Sequence, residues 1–287
     1  MKSISVAHSP DADDIFMYYA IKFGWVTPKD AVFTNIADDI ETLNQATLKG
    51  EYDICAISFA LYPFIKDDYA LLKTAVSFGQ GYGPKLIKKK GVSLKRNFKV
   101  ALSGEFTTNA LLFKIAYPEA RITYMNFLEI EEAVLNGTVD AGVLIHESIL
   151  TYDEQLEVEK EIWDIWVELS GGELPLPLGG MCIRRSIPLH SAIDYENTLI
   201  KAVDVANKNR KVLAPMLLEK GLIRVDADTL DTYLDLYAND TSVMMDELQY
   251  KALDKLYELG FKHGFYQNFI KTEDFLIPTE YEVYRNN

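Results

Sequence analysis

The stretch Asp140-Ala-Gly-Val-Leu-Ile-His-Glu-Ser-Ile-Leu-Thr-Tyr152 runs from a short apolar segment, Ala141 to Ile145, straight into a histidine. The segment is partly β-branched and follows the turn-forming pair Asn136-Gly137, so it reads as a buried strand. Ligands of open α/β sheets bind beyond the carboxyl ends of such strands. His146 therefore falls at the edge of a core. Its ordinary pKa lies near neutrality, which lets it exchange a proton under cellular conditions. Glu147, Ser148 and Tyr152 follow closely enough to orient it or a ligand. On residue chemistry alone, a histidine that merely caps a core strand is the plainer reading.

The same strand–loop–helix pattern recurs on both sides of this stretch. Ile4 to Ala7 is a first strand, Ser9-Pro10-Asp11-Ala12-Asp13-Asp14 a loop rich in helix-capping side chains, and Ile15 to Phe23 an apolar helix. The three aspartates disfavour a phosphate at that helix start; they suit capping, or hydrogen bonds to ligand hydroxyls. Val32–Ile36, Tyr52–Ser58 and Leu71–Phe78 read as strands, and Asp39–Lys49 as a helix closed by Gly50. Gly79, Gly81 and Gly83 do not match a dinucleotide or P-loop spacing and read as a turn. A second series begins at Lys99: a strand to Leu102, the loop Ser103 to Asn109, a helix Ala110–Ala116, a strand Arg121–Met125 and a helix Leu128–Leu135. Thr107, Thr108 and Asn109 stand where a helix start can hold a carboxylate or carbonyl oxygen, or where a threonine simply caps the helix. After Tyr152 come a helix or extended arm (154–161), the segment 163–168, and a Pro/Gly-rich loop, 170–180. A strand (181–184) follows, then a mainly helical remainder, with helices at 191–206, 208–220, 226–239 and 246–260 and an aromatic tail from Lys262 to Tyr284.

This order predicts an α/β fold of two lobes: 1–98 with 186–287 as a discontinuous first lobe, and 99–185 inserted as the second. A ligand cleft lies between lobes joined in this way. The loops at 9–14, 56–58 and 107–109 and the His146 turn all follow strands and can converge on it.

The totals narrow the function. The chain of 287 residues has 29 basic and 43 acidic residues, a net charge of −14, which disfavours nucleic acid and anionic membranes as partners. The one basic stretch, Lys85 to Arg96, reads as a solvated loop or hinge-side patch. Cys55 and Cys182 lie far apart in apolar surroundings, with no zinc-type spacing, and read as small buried hydrophobes. The N-terminal residues carry no apolar signal core, and no stretch of about 20 apolar residues exists, so a cytoplasmic protein is expected.

Four segments together resemble one family. Asp140 to Glu147 with Thr151-Tyr152, His8-Ser9-Pro10 with Asp14 and Phe16, Ser103 to Thr108, and Leu174-Pro175-Leu176-Pro177-Leu178-Gly179-Gly180 are similar to the motifs of the 1,4-dihydroxy-6-naphthoate synthases of the futalosine route to menaquinone. The resemblance implies a type 2 periplasmic-binding-protein-like fold used by a cytoplasmic lyase. It implies cyclic dehypoxanthinyl futalosine as the small-molecule substrate, with no metal or organic cofactor. It places His146 on the general base, and Ala56, Ile57, Ser58, Thr107, Thr108, Asn109 and Asp14 at the substrate. The first loop departs from the Ser-Pro-Cys-Pro-Asn-Asp-Thr type of the family: Asp13 stands for the asparagine and Ile15 for the threonine. An ionised Asp13 cannot donate a hydrogen bond. Chorismate dehydratase of the same pathway and a non-catalytic binding protein are the competing readings. His8 is open to either a structural or a functional role, Tyr152 and Phe106 are candidates to sandwich a ligand ring, and the oligomeric state is left open.

Overall fold

In the computed structural model, which describes residues 1–172 and 174–278, the strands fall into two sheets. The first is built from β1 (Lys2–His8), β2 (Ala31–Ala37), β3 (Ile54–Ser58), β4 (Tyr69–Leu71), β5 (Ser77–Gly79) and β11 (Leu176–Arg184). Its order is β2-β1-β3-β11-β4, with β5 also on β11. The second is built from β6 (Lys85–Lys89), β7 (Lys99–Leu102), β8 (Arg121–Tyr124), β9 (Ala141–Leu144) and β10 (Leu156–Glu161), in the order β10-β6-β9-β7-β8. The βα units pair in parallel, β1 with β2 and β3, and β7 with β8 and β9. The strands that enter from elsewhere in the chain, β6, β10 and β11, pair antiparallel.

Helices α1 (Ala12–Lys22), α2 (Ile40–Leu48), α3 (Tyr62–Ile65), α4 (Thr108–Ala116), α5 (Ile130–Leu135) and α6 (Ile162–Ser170) cover the sheets. The helices α7 (Leu189–Lys208), α8 (Arg210–Glu219), α9 (Ala227–Tyr237), α10 (Asp240–Val243) and α11 (Glu247–Lys262) follow, with α7 and α9 packed on α1. Trp166, Tyr62, Tyr69, Tyr233 and Tyr257 are the largest fully buried side chains of the core. A buried pair, Lys73 Nζ to Glu196 at 3.3 Å, ties α7 to the first sheet.

Three sequence expectations change. The basic stretch is not simply a solvated loop: Lys85–Lys89 is a strand, with Leu86 and Ile87 buried and Lys88 paired to Glu159 of β10 at 2.6 Å. The Pro/Gly-rich segment is strand from Leu176 onward, with Pro177 beside a register shift against β5, where a proline is tolerated. Sheet membership therefore does not follow the expected boundaries: β6, before residue 99, belongs to the second sheet, and β11, before 186, belongs to the first. The third change is within 71–78, where β4 and β5 are separate short strands. The aromatic tail extends past the described residues. Cys55 and Cys182 are free, buried and opposite each other across β3 and β11.

Candidate active site

A cavity of about 100 Å³ lies between the two sheets. His146, Asp14, Ala56, Ile57, Ser58, Thr107, Thr108 and Asn109 all line it, together with Ser9, Asp11, Asp13, Tyr233 and Tyr237. Residues as far apart in the chain as Ser9 and Tyr237 share one wall system because strand ends from both sheets meet here.

His146 opens a short 3₁₀ turn, His146–Ile149, directly beyond β9. Its φ is +54°, a left-handed conformation uncommon outside glycine. The ring packs edge-on against Phe127, centroids 4.9 Å apart. Its Nδ1 lies 2.5 Å from Asp11 Oδ2. Its Nε2 is buried and has no hydrogen-bond partner among the described residues.

Asp11 occupies the N-cap position of α1, yet its side chain makes no capping hydrogen bond. The capping role read from the sequence is filled across the cleft instead: the Ala12 N–H donates to Glu147 Oε1 at 2.9 Å. Burial alone would raise the Asp11 carboxyl; the charge and hydrogen bond of His146 outweigh it and hold it below its ordinary value. Burial alone would lower His146; the Asp11 charge and hydrogen bond raise it above 6.5. The two directions agree: each group favours the charged form of the other.

The neighbouring carboxyls behave oppositely. Burial, then the charges of Asp11, Asp14 and Glu147, push Asp13 well above the carboxylate range. Burial, then the Asp11 charge, push Asp14 up to about 8. The shift favours the protonated form of Asp13, which can donate a hydrogen bond as the asparagine of the family pattern would. Its Oδ1 accepts from the Tyr233 hydroxyl at 3.3 Å, and Asp14 Oδ2 accepts from the Ser9 N–H at 2.8 Å. Oxygens of Asp11, Asp13 and Asp14 come within 4.8 Å of one another. Of the three, Asp11 is engaged by His146.

The opposite wall is polar and braced. Buried Asn44 of α2 accepts the Ser58 N–H at 3.0 Å and donates to its Oγ at 3.1 Å. Thr107 caps α4, its Oγ1 accepting from the Ala110 N–H at 3.2 Å, so the plain capping reading holds for that residue. Thr108 Oγ1 donates across the cleft to the Leu178 carbonyl at 3.1 Å. Asn109 Oδ1 is buried and has no partner among the described residues.

Sequence reasoning missed Asn44, Tyr233 and Tyr237, and of the two roles open to Asp11 the capping one is not made. An asparagine at a buried helix position was the one available signal; the tyrosines on α9 come in through tertiary packing alone. His8 lies outside the cavity lining. It donates Nδ1–H to the Ser9 carbonyl at 2.7 Å, and its Nε2 meets the Asn35 amide. Phe106 packs on Phe64 and Tyr152 lies under Lys85, so neither forms a wall of this cavity.

A family model described as menaquinone biosynthesis matches residues 4–262. The chain belongs to that family. Within it, a 1,4-dihydroxy-6-naphthoate synthase of Streptomyces coelicolor is 30% identical over 258 residues, covering 88% of this chain and 90% of the relative. A second of that name, from Thermus thermophilus, is 28% identical and covers 90% and 93%. The crystal structure of an Archaeoglobus fulgidus protein aligns with a TM-score of 0.85 at 35% identity, covering 92% and 98%. The ligand-binding component of a Staphylococcus aureus ABC-type import system aligns at 0.68 with 12% identity, covering 98% of each chain. That likeness shows the two-lobed periplasmic-binding-protein-like fold in a member of the menaquinone biosynthesis family. No helix among the described residues is long and apolar enough to cross a membrane.

Proposed function

We propose that this member of the menaquinone biosynthesis family is a lyase that converts cyclic dehypoxanthinyl futalosine to 1,4-dihydroxy-6-naphthoate, with His146 as general base. The observation that carries the reading is the unpartnered, buried Nε2 of His146 on the wall of an interlobe cavity. A lone pair kept free of protein donors is what a base needs; a histidine that only capped β9 would have no use for it. His146 takes a carbon-bound proton, the electron pair left on carbon opens the sugar-derived ring, and aromatisation of the bicycle drives the sequence forward. The Ser58 hydroxyl and the Asn109 amide hold the substrate's oxygens, and Asp13 adds a third polar group on the same cavity. The family resemblance and the names of the relatives support the substrate. The reading suits a cytoplasmic enzyme working on a small molecule.

The test is turnover. Purified protein is given cyclic dehypoxanthinyl futalosine and, in parallel, chorismate, and products are identified by mass. Release of dihydroxynaphthoate from the first and no dehydration of the second is expected. Dehydration of chorismate would move the chain to the sister reaction, and binding without products would leave it a binding protein.

A further inference from the structure

We propose that Asp11 is the positioning residue for His146: it holds the Nδ1 proton, fixes the ring so that the Nε2 lone pair faces the cavity, and carries the counter-charge when Nε2 becomes protonated. The inference rests on the reading of His146 as a base and adds the group that makes it one.

Four observations converge. The Nδ1–Oδ2 separation is 2.5 Å, a charge-assisted contact. Asp11 makes no capping hydrogen bond to its own helix, although it stands at the N-cap. The remaining ring nitrogen, Nε2, is the one without a partner. Asp11 itself is 3% exposed, so water does not screen the pair.

The surrounding groups fit one anion at that point. From the first loop, burial and neighbouring charge raise Asp13, and raise Asp14 to about 8. His8, at the end of β1, is kept low by burial. Glu147, on the same turn as His146, accepts from Ala12 and lies 3.7 Å from Arg224. Tyr233 of α9 donates to Asp13. Asp11 is therefore the carboxylate that faces the imidazole directly. Proton transfer is balanced: the substrate C–H bond breaks, an Nε2–H bond forms, the electron pair stays on the substrate carbon, and Asp11 keeps its charge throughout.

The experiment is ring-nitrogen NMR of histidine-labelled protein across a pH series, without substrate, on the wild type and Asp11→Asn. In the wild type, neutral His146 is expected to carry its proton on Nδ1 and to titrate above the ordinary value. In D11N that titration moves down by about one pH unit, the size of effect a lost neighbouring charge gives. In turnover assays the acid limb of kcat/KM moves to lower pH with it, and kcat at the plateau falls roughly tenfold or more, while Asp11→Glu recovers part of both. A wild-type Nε2–H tautomer, or a His146 titration unchanged in D11N, overturns the proposal. The wild-type tautomer answers even should D11N fail to fold. Because the NMR arm uses no substrate, failure of turnover on the proposed substrate counts against the reaction and not against the pair.

Discussion

His146 holds a φ of +54°, which costs a non-glycine residue on the order of 1–3 kcal/mol and is kept where surrounding structure over-determines it. Here the Asp11 contact and the Phe127 ring supply that constraint. Asparagine tolerates this conformation better than alanine does, so His146→Asn is the cleaner variant: it should fold with a melting temperature close to the parent's. A melting temperature lowered by ten degrees or more, on the scale where about 1 kcal/mol shifts a domain of this size by a few degrees, would mean that the imidazole is mainly structural. Asn44 bears on the other wall. Asn44→Ala strands the Ser58 N–H and should cost about 1–3 kcal/mol of stability, with KM rising more than kcat falls. An unchanged KM would remove Ser58 from the substrate contacts. Asp14 gives a pH signature. Its carboxyl, ordinarily at 3.8, is raised to about 8 in the folded chain. Between those values the unfolded chain has released the proton and the folded chain keeps it, so stability falls as pH rises through the window. Urea melts at about pH 5 and about pH 8 should differ less in Asp14→Asn than in the parent; equal differences would show that Asp14 ionises normally. The sequence singled out His146 through its strand, but it could not single out Asp11. Any of three aspartates in one loop can cap a helix, and the partner that decides the matter lies 135 residues away.

At the scale of elements, the βα units were legible because their strands are continuous apolar runs followed by capped helices. β6 was not, because Lys85, Lys88 and Lys89 flank only two apolar residues, and the carboxylates that neutralise Lys88, Glu157 and Glu159, lie on β10. β11 was obscured by its prolines. The element that leads into His146 is β9, and it is held by close packing. A Cβ added to Gly142 would meet Ile130 Cγ2 of α5 at 2.4 Å. Gly142→Ala should therefore push α5 outward at a cost of about 1–3 kcal/mol, and slow turnover because β9 leads into His146. Wild-type stability in a denaturant melt would show that the helix yields freely and that the β9–α5 contact does not set the site.

At the scale of the molecule, the lobes are drawn together over the cavity. Glu147 caps α1 from across the cleft, Arg224 lies 3.7 Å from Glu147 with its guanidinium over the Phe127 ring, and Thr108 reaches Leu178. Small-molecule pockets usually span about 300–1,000 Å³, so a space of about 100 Å³ must widen to admit the proposed substrate. Glu147→Ala should loosen the closed form, seen as faster hydrogen exchange at the start of α1 by about tenfold, the effect of roughly 1.4 kcal/mol. Exchange at the wild-type rate would mean that other contacts hold the lobes. The cleft, and lobes able to close over it, followed from chain order; the contacts that hold it closed did not, because they depend on single side chains meeting across two sheets. The central claim is that His146, on that closed cleft, removes the proton that starts the reaction. The direct measurement is the rate of 1,4-dihydroxy-6-naphthoate formation by His146→Asn against wild type at saturating substrate. A fall of about 10²- to 10⁴-fold with substrate binding retained is expected for loss of a general base; turnover within a few-fold of wild type would contradict it.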